Sequence, residues 1–257
     1  MKRKRWSPNE EQFLTQHYSA MTANDLSFLL GRTKASIHHR ASQMDLVKPQ
    51  GYQRRYVINE EYFSRIDSFD KSYFLGLIWA DGTVSNNLLQ LSFKEPDKSL
   101  LEKFNYYTES SYPIHTYKHK NKNHANSCML KVTSKPMCQD LKNYGIIPRK
   151  TYGTSEPVMP AKYGSHFLRG LIDGDGHISS RYNAIKVTNT EVTCNWICKF
   201  LQKEIGIKGS IRKENHAHAY VWYIGGRQQC KSLINFLYTD SEGLYLPRKY
   251  NVSKEII

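Results

Sequence analysis

The sequence predicts an α+β fold: two αββαββα halves related by a pseudo-twofold axis, preceded by a small three-helix domain. Three observations predict it. A thirteen-residue segment recurs at an offset of 94 residues. After each copy, helical and strand-like hydrophobic periods follow in the same order. Ahead of the first copy, helix-start signals occur three times within residues 6–46.

The front module comes first in the chain. Ser7, Pro8 and Glu10 combine an N-cap, a proline in the first turn and a capping box, and predict a helix to about Tyr18 with Phe13 and Leu14 inward. Thr22 and Asp25 repeat the box ahead of Leu26, Leu29 and Leu30, and Gly31 is placed to end that helix. Thr33 caps a third helix, with Ile37, Ala41 and Met44 on one face and Lys34, His38 and Arg40 elsewhere. A basic third helix of this kind suits a DNA groove. The alternative is a helical cap whose charges are merely solvated. Residues 1–46 therefore form the three-helix domain, and residues 47–57 a basic linker. Arg54 and Arg55 in that linker are candidates for tracking phosphates.

The repeat sets Tyr73–Ser85 over Phe167–Ser179. Six of thirteen positions are identical: Gly76/Gly170, Leu77/Leu171, Ile78/Ile172, Asp81/Asp175, Gly82/Gly176 and Ser85/Ser179. Alternating stretches follow. Leu89, Leu91 and Phe93 face one way and Gln90, Ser92 and Lys94 the other; Ile185 and Val187 oppose Lys186 and Thr188. Period two means strands with one buried face. Helices are expected over Asp97–Tyr107 and Glu191–Ile205, then strands at Ile114–Lys118, Cys128–Thr133, Ser210–Glu214 and Ala219–Ile224. Closing helices are expected at Pro136–Tyr144 and Gln228–Tyr238. The second domain thus spans 58–257, with halves of about 58–160 and 161–257.

Within the repeat, Gly76 and Ala80 lie four apart, as do Gly170 and Gly174. Small residues at that spacing make a flat stripe that lets two helices approach closely. Close approach sets Asp81 beside Asp175 at the helix ends. Two neighbouring carboxylates resist ionising together. Divalent cations relieve the repulsion, and hard oxygen donors suit Mg²⁺, or Mn²⁺ in substitution. Such a pair between basic sheets fits metal-assisted phosphodiester hydrolysis.

The partner is indicated by charge. Lys plus Arg number 37 against 23 acids, a net +14, and a polyanion is the economical explanation. No apolar run approaches the roughly 18 residues that span a bilayer. The basic N-terminus lacks the apolar core of a signal peptide. Five cysteines without a framework suggest reduced thiols, hence a cytoplasmic or nucleoid setting, an organellar matrix or a phage-infected cell rather than secretion.

The two motifs, Phe74–Gly82 and Leu168–Gly176, resemble those of the LAGLIDADG homing endonucleases. The stretches Gly145–Thr151 and Leu246–Tyr250 are also similar to that family, and the likeness covers roughly residues 60–252. The front module resembles a helix-turn-helix or Myb/SANT-like unit. The resemblance implies saddle-like antiparallel sheets and cleavage of a long double-stranded DNA site. It implies that Asp81 and Asp175 bind the metals with help from the carbonyls of Ala80 and Gly174. It implies lysines in the third strand of each half, here Lys118 and Lys213 with Arg212 one residue away. It implies water-ordering polar residues after the second strand, here Glu95 and Asn189. One position departs: Trp79 stands where the second motif has Asp173, which is expected to pair locally. Unlike halves in one chain fit a monomer on an asymmetric target.

Other signals weigh less. Cys194, Cys198, His216 and His218 could be drawn as a zinc site, but the usual Cys-x₂-Cys spacing is missing and buried thiols are favoured. The competing functions are a DNA-binding regulator without cleavage and an RNA maturase. An intein is disfavoured by the Met1 start and the Glu255-Ile-Ile257 end.

Overall fold

The computed structural model describes residues 5–48, 55–118, 125–147, 155–214 and 219–257. They fall into two compact units, divided between Tyr56 and Val57. Among the described residues, no helix is long and apolar enough to cross a membrane.

In the first unit, helices α1 (Pro8–His17), α2 (Ala23–Leu30) and α3 (Lys34–Gln43) start where the caps dictate. Ser7 and Glu10 exchange both capping-box hydrogen bonds, as do Thr22 and Asp25. The Thr33 hydroxyl accepts from the Ser36 N–H, and Gly31 ends α2 with φ +57°. Leu14, Tyr18, Leu26, Ile37 and Ala41 make the core. Leu29 is 54% exposed. The inward stripe of this eight-residue helix runs from Leu26 to Leu30, four residues apart, and Leu29 falls outside it. Arg32 is drawn inside: its guanidinium meets the Glu10 carboxylate at 2.9 Å and covers the Trp6 ring at 4.4 Å. The bonds from Arg32, followed by that from the Ser7 N–H, pull the Glu10 carboxyl down to about 2.

The second unit repeats one plan. Its first half runs α4 (Phe69–Asp81), β1 (Thr83–Val84), β2 (Leu88–Lys94), α5 (Ser99–Tyr107), β3 (Ile114–Tyr117), β4 (Ser127–Thr133) and α6 (Lys135–Asn143). Its second runs α7 (Gly164–Asp175), β5 (Gly176–Ser179), β6 (Ala184–Asn189), α8 (Glu191–Ile205), β7 (Ser210–Lys213), β8 (Tyr220–Gly225) and α9 (Arg227–Tyr238). The sheets are antiparallel with matching orders, β1-β2-β4-β3 and β5-β6-β8-β7. Leu89, Leu91, Ile185 and Val187 point into the core, as period two requires, while Lys94, Lys186 and Thr188 are exposed. The fold class is as the sequence predicts.

Two differences have local causes. The helix expected from Asp97 begins at Ser99, because Pro96 sits in a short 3₁₀ turn over Glu95–Asp97. A further helix, α10 (Pro247–Lys254), follows α9 within the second half. Its proline at the first turn is the start signal it offers.

Helices α4 and α7 cross at the centre, and their glycines make the crossing possible. A methyl group on Gly76 would stand 2.0 Å from the Phe167 carbonyl oxygen, and one on Gly170 would stand 2.1 Å from that of Tyr73. Backbone therefore packs on backbone, and both helices are buried over nearly their whole circumference. Trp79, Phe167, Leu171 and Ile172 belong to one core that continues under both sheets.

Candidate metal-binding acid pair and nucleic-acid interface

Each central helix ends on its aspartate, and each aspartate is followed by a glycine that turns directly into the first strand. Gly82 and Gly176 sit in extended conformations. A methyl group on either would press to 2.5 Å of the helix turn before it, against Ile78 or Ile172, so the turn accepts no side chain. This fixes Asp81 and Asp175 at the junction of helix and sheet.

The two junctions touch. A methyl group on Gly174 would lie 2.2 Å from the Ala80 side chain and 2.9 Å from an Asp81 carboxylate oxygen. The stripes Gly76/Ala80 and Gly170/Gly174 therefore bring Asp81 against the residue that precedes Asp175. Asp81 is exposed and Asp175 half-buried. Asn189, at the end of β6, donates its amide N–H to the Asp175 carboxylate at 2.6 Å. Glu95 holds the corresponding place in the first half, 94 residues earlier, but accepts from Asn126 at 2.8 Å and is exposed.

These oxygens fit a hard divalent cation. Two carboxylates and the backbone carbonyls of Ala80 and Gly174 would offer an all-oxygen set of the kind Mg²⁺ or Ca²⁺ takes with water completing its shell. Among the described residues, no group of three or more His, Cys, Asp or Glu could hold a metal by side chains alone. The Cys194 and Cys198 thiols instead lie against the carbonyls of Tyr220 and Gly209. His216 and His218 lie outside the described residues.

Sequence reasoning missed a buried cation beside the end of α7. Lys249, on α10, is buried, and its ammonium donates to the carbonyl oxygens of Ile172 and Asp173 at 2.7 Å, Gly176 at 2.6 Å and Gly174 at 3.2 Å. These are carbonyls at the end of α7, where the helix dipole is negative. Burial pushes the lysine down to about 8, opposed by Asp173 first and by Asp81 and Asp175 after it. Its neighbour Arg248 clasps Asp97 with two bonds of 3.1 and 3.2 Å. Arg248 also lines a cleft of about 560 Å³ with Asp81, Ser92, Lys94, Asn126 and Gly174. One signal could have pointed to this pair: the triplet Pro-Arg-Lys occurs at 148–150 and again at 247–249.

Asp173 turns away from the pair. It is buried, and one of its oxygens accepts from the Tyr73 hydroxyl and from the Leu246 N–H, each at 2.8 Å. It therefore ties α7 to α4 and to the approach of α10. Burial raises its carboxyl, against the hydrogen bonds from Tyr73 and Leu246. Nearby, the buried Arg169 donates to the carbonyls of Leu244 and Leu237 at 2.9 and 2.8 Å. Trp79, the first-half counterpart, donates instead to the Thr193 hydroxyl at 3.2 Å.

The remaining candidates divide. Lys118, just beyond β3, and Lys213, at the end of β7, are exposed, and β3 and β7 are edge strands of their sheets. Arg212 leans toward Glu214 at 4.0 Å. Gln90 pairs with Lys131 across β2 and β4, and Lys186 with Tyr223 across β6 and β8. In the first unit Lys34 and His38 are exposed, while Arg40 is engaged by Glu11 and by Gln43. Arg55 is exposed beside Tyr56. Arg54 lies outside the described residues.

Residues 163–234 match the family model of the LAGLIDADG-like domain. No curated protein matches the sequence. Among solved structures, the chain is similar to the homing endonuclease I-WcaI bound to its DNA recognition sequence, at 13% identity and a TM-score of 0.51, over 81% of this chain and 96% of that one. It is similar to I-DmoI in complex with DNA and Ca, at 17% identity and a TM-score of 0.51, over 76% and 98%. It is also similar to full-length DUF199/WhiA from Thermatoga maritima, at 16% identity and a TM-score of 0.50, over 77% of this chain. The match spans 64% of that WhiA chain. The fold is thus the LAGLIDADG fold, which homing endonucleases and WhiA share.

Proposed function

We propose that this chain is a site-specific endonuclease of the homing type, binding a long asymmetric double-stranded DNA site as a monomer. The observation that supports the reading is the close approach of Asp81 to Gly174, the residue before Asp175, where the two helices that end on these aspartates pack together. A protein that only bound DNA would gain nothing from holding like charges together there.

Asp81 and Asp175, with the carbonyls of Ala80 and Gly174, would hold Mg²⁺ or Mn²⁺. Such an ion, when bound, polarises a phosphoryl oxygen and lowers the pKa of a water. The chain's own residues do the rest. Asn189 fixes the Asp175 carboxylate in one orientation by its 2.6 Å hydrogen bond. Lys118 and Lys213 bring positive charge toward the backbone of a duplex laid along the sheets, and Glu95 orders solvent beside the first acid. Gln90, Ser92, Lys94, Lys186 and Thr188 face the groove. Lys34, His38, Arg54 and Arg55 extend the contact through the front module and linker, with Arg40 holding α3 in place. Base edges would be read from the sheets and phosphates from the lysines and arginines.

Incubation with a randomised duplex library and Mg²⁺ tests this reading. Cut ends should accumulate at one sequence family. Recovery of a tightly bound but uncut sequence would favour a regulator, and preferential binding of folded RNA a maturase.

A further inference from the structure

The acid pair poses an electrostatic problem that the close helix crossing makes worse. Asp175 closes α7, whose terminal carbonyls already carry negative partial charge. Asp81 is pressed against Gly174 from the neighbouring helix. Like charges and like partial charges gathered at one junction repel, at the very place where Gly76 and Gly170 require backbone contact.

The place is not without a cation. The Lys249 ammonium has three N–H groups and lies within hydrogen-bond distance of four carbonyl oxygens, those of residues 172, 173, 174 and 176. These residues bracket Asp175. The lysine is only 7% exposed and is delivered by α10, at the end of the second half. The segment leading to α10 is itself fixed, by the Leu246 N–H on Asp173 and by Arg248 on Asp97. A buried ammonium with this many acceptors is held in one position.

We propose that Lys249 is a positioning residue for the acid pair: its charge stands in for metal in the empty enzyme and lets Asp81 and Asp175 keep their places until a divalent ion and DNA arrive. The proposal rests on the reading of these two aspartates as the metal-binding pair. It separates from a plain helix-capping role through Asp81, which belongs to α4. A cap of α7 has no reason to be coupled to an acid on another helix.

Thermal unfolding of the full chain in EDTA and in millimolar Ca²⁺ tests this, using the transition of residues 57–257. The variants are Lys249→Met, Asp81→Asn and the double substitution. In EDTA, Lys249→Met should lower the midpoint by roughly 6 °C or more. In the Asp81→Asn background the same change should cost no more than about half of that, since the repulsion it unmasks is gone. Ca²⁺ should raise the midpoint of Lys249→Met more than that of the wild type. Equal losses in both backgrounds, with no larger Ca²⁺ response, would overturn the proposal. So would a Lys249→Met chain that fails to fold in EDTA and is recovered neither by Asp81→Asn nor by Ca²⁺. If instead the wild type and Asp81→Asn respond identically to Ca²⁺, the metal-site reading itself fails, a result distinct from either outcome for Lys249.

Discussion

Gly170 lies so close to Tyr73 that a methyl group on its α-carbon would stand 2.1 Å from the Tyr73 carbonyl oxygen. The obstacle is backbone on a buried helix, so no rotamer change relieves it. Gly170→Ala should therefore destabilise residues 57–257 by about 1–3 kcal/mol, the usual penalty of overpacking, and Gly170→Val by more. Urea unfolding followed by tryptophan fluorescence checks the order. Gly206→Ala is the control: no atom lies within 4 Å of the added methyl, and its φ of +69° leaves only backbone strain.

The Tyr73 hydroxyl offers a second, independent tie between the same helices. It donates to the buried Asp173 at 2.8 Å. Tyr73→Phe removes the donor without opening a cavity and leaves a buried carboxylate oxygen with less to accept from. A loss of about 1–3 kcal/mol is expected. Asp173→Asn should partly restore the Tyr73→Phe variant, because a neutral amide is cheaper to leave underbonded. A full double-mutant cycle by urea unfolding measures the coupling.

Acid should act on the two units through different groups. His166 is buried and lies beside Arg169, and burial first, with the guanidinium second, pushes its pKa down to about 4. An imidazole that is neutral when folded and protonated when unfolded gives stability that is complete above about pH 6.5 and is lost as pH falls toward 4. Glu10, in the first unit, is held down to about 2 by Arg32, so its contribution is complete above about pH 4.5 and is lost only as pH falls toward 2. Calorimetry against pH should show the larger unit weakening first. His166→Gln should flatten its slope between pH 6.5 and 4, and Glu10→Gln should act only on the smaller unit.

Much of this was legible in the sequence where the causes are local. Capping boxes at Ser7 and Thr22 and period two at Leu89–Phe93 depend on near neighbours, and they placed elements to within a few residues. The four-residue spacing of Gly76/Ala80 and Gly170/Gly174 was enough to expect the crossing, because only small residues permit it. What stayed hidden depends on partners far apart in the chain. Lys249 is surrounded by oxygens more than seventy residues away, and Arg248 meets an aspartate 151 residues earlier. Neither carries a periodic or spacing signal of its own, beyond the repeated Pro-Arg-Lys triplet.

Salt and truncation test the interface. With exposed basic residues on both sheets, among them Lys94, Lys131 and Lys186, the logarithm of affinity for the recovered duplex should fall steeply with the logarithm of salt concentration. Removing residues 1–50 should reduce that slope and weaken binding more than it slows cleavage of the bound duplex. Fluorescence anisotropy across a salt series, beside single-turnover cleavage, separates the two effects. An unchanged slope would mean that the front module makes no phosphate contact.

The most direct test concerns the acids themselves. On the duplex recovered from the library, wild type and Asp175→Asn are compared for binding in Ca²⁺ and for cleavage in Mg²⁺. Asp175→Asn should bind within a few-fold of wild type and lose cleavage by about a thousand-fold or more, as expected when a group acting in the transition state is removed. Equal cleavage by the two proteins would contradict the account.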